Sequence, residues 1–177
     1  MPETALLIID VQNAVVAGAY RQAEVLAAIA GLAERARAAG TPVIYLQHEE
    51  PGSPMARGAP GWEIHPAVAP APGEAVIGKR ASDGFYRTTL AAELARLGVS
   101  RLVVCGAQTE FCVDATTRAA LSAGFDVILA TDAHTTGDGV IPAAKAIEHH
   151  NRTLGWLAHP DHSVKLAPAA KIAFATP

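Results

Sequence analysis

The chain has 177 residues, 50% of them hydrophobic and 18% charged, with a formal net charge of −3. Residues 1–177 hold enough apolar material for one domain with a substantial core, and the mildly acidic balance argues against a nucleic-acid or anionic-membrane partner, which would favour a basic face. Two cysteines do not make a disulfide framework, and the first apolar run breaks too early for a signal or membrane segment, so a cytoplasmic protein is expected.

In chain order, apolar runs alternate with amphipathic segments, the pattern of βαβ units around a parallel sheet. Ala5 to Ile9 reads as a buried strand ended by Asp10. Val25, Leu26, Ile29, Leu32, Ala33 and Ala36 then recur at helical spacing, with Glu34, Arg35 and Arg37 turned outward, and Gly40 with Pro42 stops that helix. Strand-like runs follow at Val43 to Leu46, Ala75 to Ile77, Arg101 to Cys105 and Phe125 to Ala130. Helical segments fall near Thr88 to Leu97, Val113 to Ala123 and Ile141 to Leu154. The expected fold is one three-layer α/β/α domain, Rossmann-like, with a mostly parallel sheet ordered 3-2-1-4-5-6 and helices on both faces. That order follows from the right-handed crossover rule and sets the first and fourth strands side by side.

Between Glu49 and Gly73 lies a long irregular stretch rich in Pro and Gly, and loops of that length inside compact domains are functional or disordered. Its Trp62 either walls an apolar pocket or pins the loop to the body. Phe85 and Tyr86, shortly after Lys79, are placed to cover a pocket and exclude water. His48, Glu50 and His65 offer a His and carboxylate set for a divalent metal, but three scattered donors fit structural or substrate-contacting roles better. His134, His149 and His150 read as surface or packing residues.

The chemistry centres on Cys112, which follows the glycine-ended run Leu102-Val-Val-Cys-Gly106 where a buried strand turns into a helix. Backbone N–H groups and the dipole at a helix start favour thiolate over thiol and can hold a developing oxyanion. The alternative is a small hydrophobe packed beneath the helix; Cys105, inside the strand, reads as core. A nucleophile needs a base, and reactive groups in open α/β sheets gather at the carboxyl ends of strands. Asp10 and Lys79 end two such runs. Asp10 beside a thiol can take its proton and return it to a departing amine, while a lysine between them eases the repulsion of two anions.

At Leu7-Ile8-Ile9-Asp10-Val11-Gln12-Asn13, at Gly78-Lys79 with Asp83-Gly84-Phe85, and at Gly106-Ala-Gln-Thr109-Glu-Phe-Cys112-Val113, the chain resembles the isochorismatase-like cysteine hydrolases. The similarity runs from about residue 4 to residue 135, and its last motif is the specific one. It implies a single hydrolase domain with a Cys112 nucleophile, an Asp10 base or acid, and a Lys79 that orients and polarises the site. It also implies a cis peptide before Gln108, with the backbone N–H groups of Gln108 and Cys112 forming an oxyanion hole. Self-association as a dimer or tetramer is implied too, and the alanine-rich, weakly charged surface gives it mild support.

The expected activity is hydrolysis of a C–N bond in a small amide, open-chain or cyclic, through a thioester and without a cofactor or metal. Trp62, Phe85, Tyr86 and His48 are the candidate substrate contacts. Two alternatives stand beside it. One is a metal-dependent nicotinamidase, whose branch carries Asp-x-His ligands where this chain has His48 and Glu50. The other is a non-catalytic relative that binds a small ligand. A dinucleotide-binding module would need Gly-x-Gly-x-x-Gly after the first strand, and Asp10-Val-Gln-Asn-Ala-Val has no glycine. Isochorismate hydrolases lack the cysteine, so Cys112 counts against vinyl-ether chemistry.

Overall fold

Ala5, Leu6, Leu7, Ile8 and Ile9 are all fully buried, as a strand covered on both faces requires. The computed structural model describes residues 3–174. Its six strands are β1 (Thr4–Ile9), β2 (Val43–His48), β3 (Ala75–Lys79), β4 (Arg101–Ala107), β5 (Asp126–Thr135) and β6 (Val164–Ala167). They hydrogen-bond in the order β3-β2-β1-β4-β5-β6, with every pairing parallel. The expected order is therefore observed, with the ends of β1 and β4 adjacent.

Alternating residues of the strands feed two cores. Leu6, Ile8, Tyr45, Val103 and Cys105 pack with Val25, Leu26, Ile29 and Leu32 of α2 (Gln22–Ala38). Leu7, Ile9, Leu46, Leu102 and Val104 face the other way, against Leu90 and Leu94 of α3 (Leu90–Leu97), Ala120 and Leu121 of α4 (Asp114–Ser122) and Leu154 of α5 (Ala143–Gly155). A short helix, α1 (Asn13–Val16), follows β1.

Three features depart from the expected elements. The run expected to end at Ala130 continues as β5 to Thr135, because a register shift between Val104 and Gly106 lets His134 and Thr135 pair with Gly106 and Ala107. Where one helix was expected from Val113, a π-helical turn (Thr109–Val113) carries Cys112 and leads into α4. The sixth strand, β6, has only four residues and is half exposed.

Candidate active site

Asp10 follows the last residue of β1 and is 1% exposed. Its φ of 48° lies in the left-handed region, which aspartate tolerates better than most residues. Beside it, Gly106 has φ 125° and approaches Ile9 so closely that a Cβ would overlap the Ile9 carbonyl; only glycine permits this meeting of β1 and β4. The peptide joining Ala107 to Gln108 is cis, and the Gln108 carbonyl accepts hydrogen bonds from the N–H groups of Phe111 and Val113 at 3.1 and 3.2 Å.

Lys79, the last residue of β3, reaches into the same place. Its Nζ lies 2.6 Å from Asp10 Oδ2, donates to Cys112 Sγ at 3.2 Å and to the Ala81 carbonyl at 2.9 Å, and approaches His48 Nδ1 at 3.4 Å. Asp10 Oδ1 has no hydrogen-bond partner among the described residues, so an acceptor is left for a proton. The three expected residues thus converge from the ends of β1, β3 and β4, and His48 joins them from the end of β2.

Electrostatics in this enclosure correct one expectation. Burial, reinforced by the facing Asp10 charge and opposed by Lys79, pushes the Cys112 thiol up to about 12. Burial likewise raises the Asp10 carboxyl against the pull of Lys79, and burial lowers His48, helped by the ammonium. A helix terminus contributes only about 0.3–1 kcal/mol to an adjacent charge, which is less than full desolvation costs an anion. Burial of Cys112 therefore opposes the thiolate that its place near a helix start favours, and Lys79 is the neighbour that works for it.

Among the described residues, one His/Cys/Asp/Glu group has metal-binding proximity: Asp10, His48 and Cys112, whose donor atoms lie within 4.8 Å of one another. The Lys79 ammonium contacts all three and supplies the cation that such a donor set attracts. His48, Glu50 and His65 do not form such a group; His65 Nδ1 instead accepts the Ala67 N–H at 3.2 Å.

The residues expected to touch substrate divide. Tyr86 lines a cleft of about 390 Å³ together with Glu49, Arg57, Gly78, Lys79, Arg80, Ala81 and Arg87. Phe85 packs against the core, its ring 5.8 Å from that of Phe125. Trp62 anchors the irregular loop: its carbonyl accepts from Gln12 Nε2 at 2.7 Å and Gln47 Nε2 at 2.9 Å, and Arg57 lies over its ring.

Sequence reasoning missed several contributors. Gln12 is fully buried and also exchanges two 2.8 Å hydrogen bonds with the His48 backbone, stapling the end of β1 to that of β2. His134, read as packing or surface, is 1% exposed and pairs Nδ1 with Thr109 Oγ1 and Nε2 with Asn151 Oδ1, both at 2.9 Å. It thereby ties the turn before Cys112 to α5. Gln12 was discoverable inside the Asp10 motif; His134 required the β5 register.

A parallel doubly wound sheet with a carboxylate, an ammonium and a thiol gathered at its carboxyl edge defines an α/β protein of hydrolase type. The isochorismatase domain model matches residues 4–158, and the chain belongs to the isochorismatase family. It is 48% identical over 147 residues to a streptothricin hydrolase of Streptomyces noursei, covering 81% of this chain and 52% of that one. It is also 30% identical over 196 residues to a ureidoacrylate amidohydrolase of Methylobacterium radiotolerans, covering 88% and 76%. The chain thus spans about half the length of the streptothricin hydrolase it matches. An isochorismatase structure from Pseudomonas putida KT2440 superimposes with a TM-score of 0.86 at 32% identity, covering 96% of this chain and 90% of that one.

Proposed function

We propose that the protein is a cysteine hydrolase that cleaves a C–N bond of a small amide, open-chain or cyclic, through a thioester. The observation that carries this reading is the Lys79 ammonium, 2.6 Å from Asp10 Oδ2 and 3.2 Å from Cys112 Sγ. As sulfur attacks the carbonyl carbon and the C–S bond forms, Asp10 takes the thiol proton. The carbonyl oxygen becomes an oxyanion, held by the N–H groups of Gln108 and Cys112. Collapse breaks the C–N bond, and Asp10 passes its proton to the departing nitrogen. Water, deprotonated by Asp10, then attacks the thioester; the acid leaves and the thiol is restored. Lys79 keeps the transient anions of this cycle compatible within one buried enclosure.

Relatives named as a streptothricin hydrolase and a ureidoacrylate amidohydrolase support C–N hydrolysis. The test is release of ammonia or amine from a panel of small amides. Cys112→Ala is expected to abolish release. Cys105→Ala is expected to retain it, since Cys105 lies in the core on β4. Equal turnover by wild type and Cys112→Ala would overturn the mechanism.

Both cysteines are free, which fits a reducing compartment, and we place the enzyme in the cytoplasm; among the described residues no helix is long and apolar enough to cross a membrane. We also propose self-association as a dimer or tetramer, supported by the exposed Val140, Ile141 and Trp156. Light scattering at micromolar concentration is expected to give a multiple of the chain mass, and a monomer would refute it.

A further inference from the structure

The cleft that Lys79 helps to wall is strongly cationic for a chain of net charge −3. Arg57, Arg80 and Arg87 line it, and Glu49 is the one carboxylate among its lining residues. Lys79, also in its wall, is already answered by Asp10. Glu49 is buried and takes both Arg80, through Nε at 2.8 Å and through Nη2, and Arg57, through Nε and Nη2 at 2.9 Å. Two guanidiniums thus share one carboxylate, yet their side chains remain 69% and 70% exposed, with N–H donors left over from the five that each carries. Arg87 makes no ion pair among the described residues; it stacks over the Tyr86 ring at 5.2 Å, at a φ of 53°. A non-glycine residue held in the left-handed region tends to mark function.

We propose that the substrate of this site carries a small anionic group, a carboxylate, held by Arg80, Arg87 and Arg57 while its amide lies against Cys112. This rests on the amide-hydrolase reading and specifies its substrate class. Guanidinium forks match carboxylates in geometry as well as charge. Glu49 acts as the positioning residue: it fixes two arginines at the rim while neutralising only one of them. A cationic amide would meet uncompensated like charge on entry, and a neutral one would leave these donors unused.

Two measurements test this. The first compares alkylation of Cys112 by iodoacetate and iodoacetamide, located by mass spectrometry; the ratio of rates cancels the thiolate fraction, so it reads the cleft alone. It is expected to exceed the ratio for glutathione by about tenfold, the worth of one charge-assisted hydrogen bond, and to fall towards the glutathione value in Arg87→Gln and in Arg80→Gln. Arg87→Gln breaks no ion pair, so its fold is secure. A wild-type ratio equal to that of glutathione overturns the proposal. The second compares kcat/KM for succinamate, succinamide and β-alaninamide, which differ in charge at similar size. Succinamate is expected to lead, with the loss in Arg87→Gln confined to it, and preference for either of the others overturns the anion site. If none of the three releases ammonia while the alkylation bias holds, the amide reading fails and the anion site stands.

Discussion

Lys79 Nζ and Asp10 Oδ2 are 2.6 Å apart, with the two side chains 0% and 1% exposed. A buried ion pair adds little net stability, but removing one partner strands the other. Lys79→Met is therefore expected to abolish turnover and to lower unfolding free energy by about 3–5 kcal/mol. Combining it with Asp10→Asn should restore part of that stability and none of the activity. Urea denaturation of the single and double variants measures both.

Alkaline pH is expected to destabilise the fold through its thiols. Cys112, ordinarily near 9.0, is pushed to about 12 in the folded chain, and burial raises Cys105 as well. Above pH 9 the unfolded thiols release protons that the folded ones keep. The stabilisation present below that pH is thus lost as pH rises towards 12, at up to about 1.4 kcal/mol per pH unit per thiol. Denaturation midpoints between pH 8 and 10.5 should fall less steeply in Cys112→Ala and least in the double cysteine variant.

His134→Ala removes the side chain between Thr109 and Asn151. It orphans a buried hydroxyl, at about 1–3 kcal/mol, and opens a cavity. A lower thermal midpoint is expected, with a fall in kcat larger than any change in KM, because the turn it braces carries Cys112 and not the arginine rim. A lowered midpoint with unchanged kcat would limit His134 to packing.

Gly106→Ala forces a Cβ into the Ile9 carbonyl at a φ of 125°. Either β1 and β4 separate or the residue leaves its conformation, and both disrupt the strand pair beneath the site. Loss of soluble, folded protein by circular dichroism is the expected outcome, whereas Gly139→Ala, where an added Cβ meets nothing within 4 Å, should fold normally.

What was legible in the sequence follows from which signals are local. β1, β2, β4 and α2 announce themselves by unbroken or periodic apolar residues, and Asp10, Lys79 and Cys112 by standing where such runs end. β6 was not legible because an edge strand of four residues, with Lys165 and Leu166 both exposed, carries no hydrophobic pattern. Glu49, Arg57 and Arg80 escaped notice because charges in an irregular segment have no periodicity, and their pairing depends on where the loop folds. The raised thiol is a property of enclosure, to which strands distant in sequence contribute.

Gln12 and Gln47 meet on one carbonyl of the loop, that of Trp62, and Asn13 and Ala14 hold the carbonyls of Glu63 and Gly61 beside it, while the reacting groups ride on or just beyond the ends of strands. This separates inheritance of the reaction from inheritance of its target. Changes confined to residues 50–59 can exchange Arg57 and its neighbours without disturbing the sheet, so chains that share this core and its triad are free to drift between substrates. The tether also sets the limit of that drift, because a replacement loop must still offer a carbonyl where Gln12 and Gln47 reach for it.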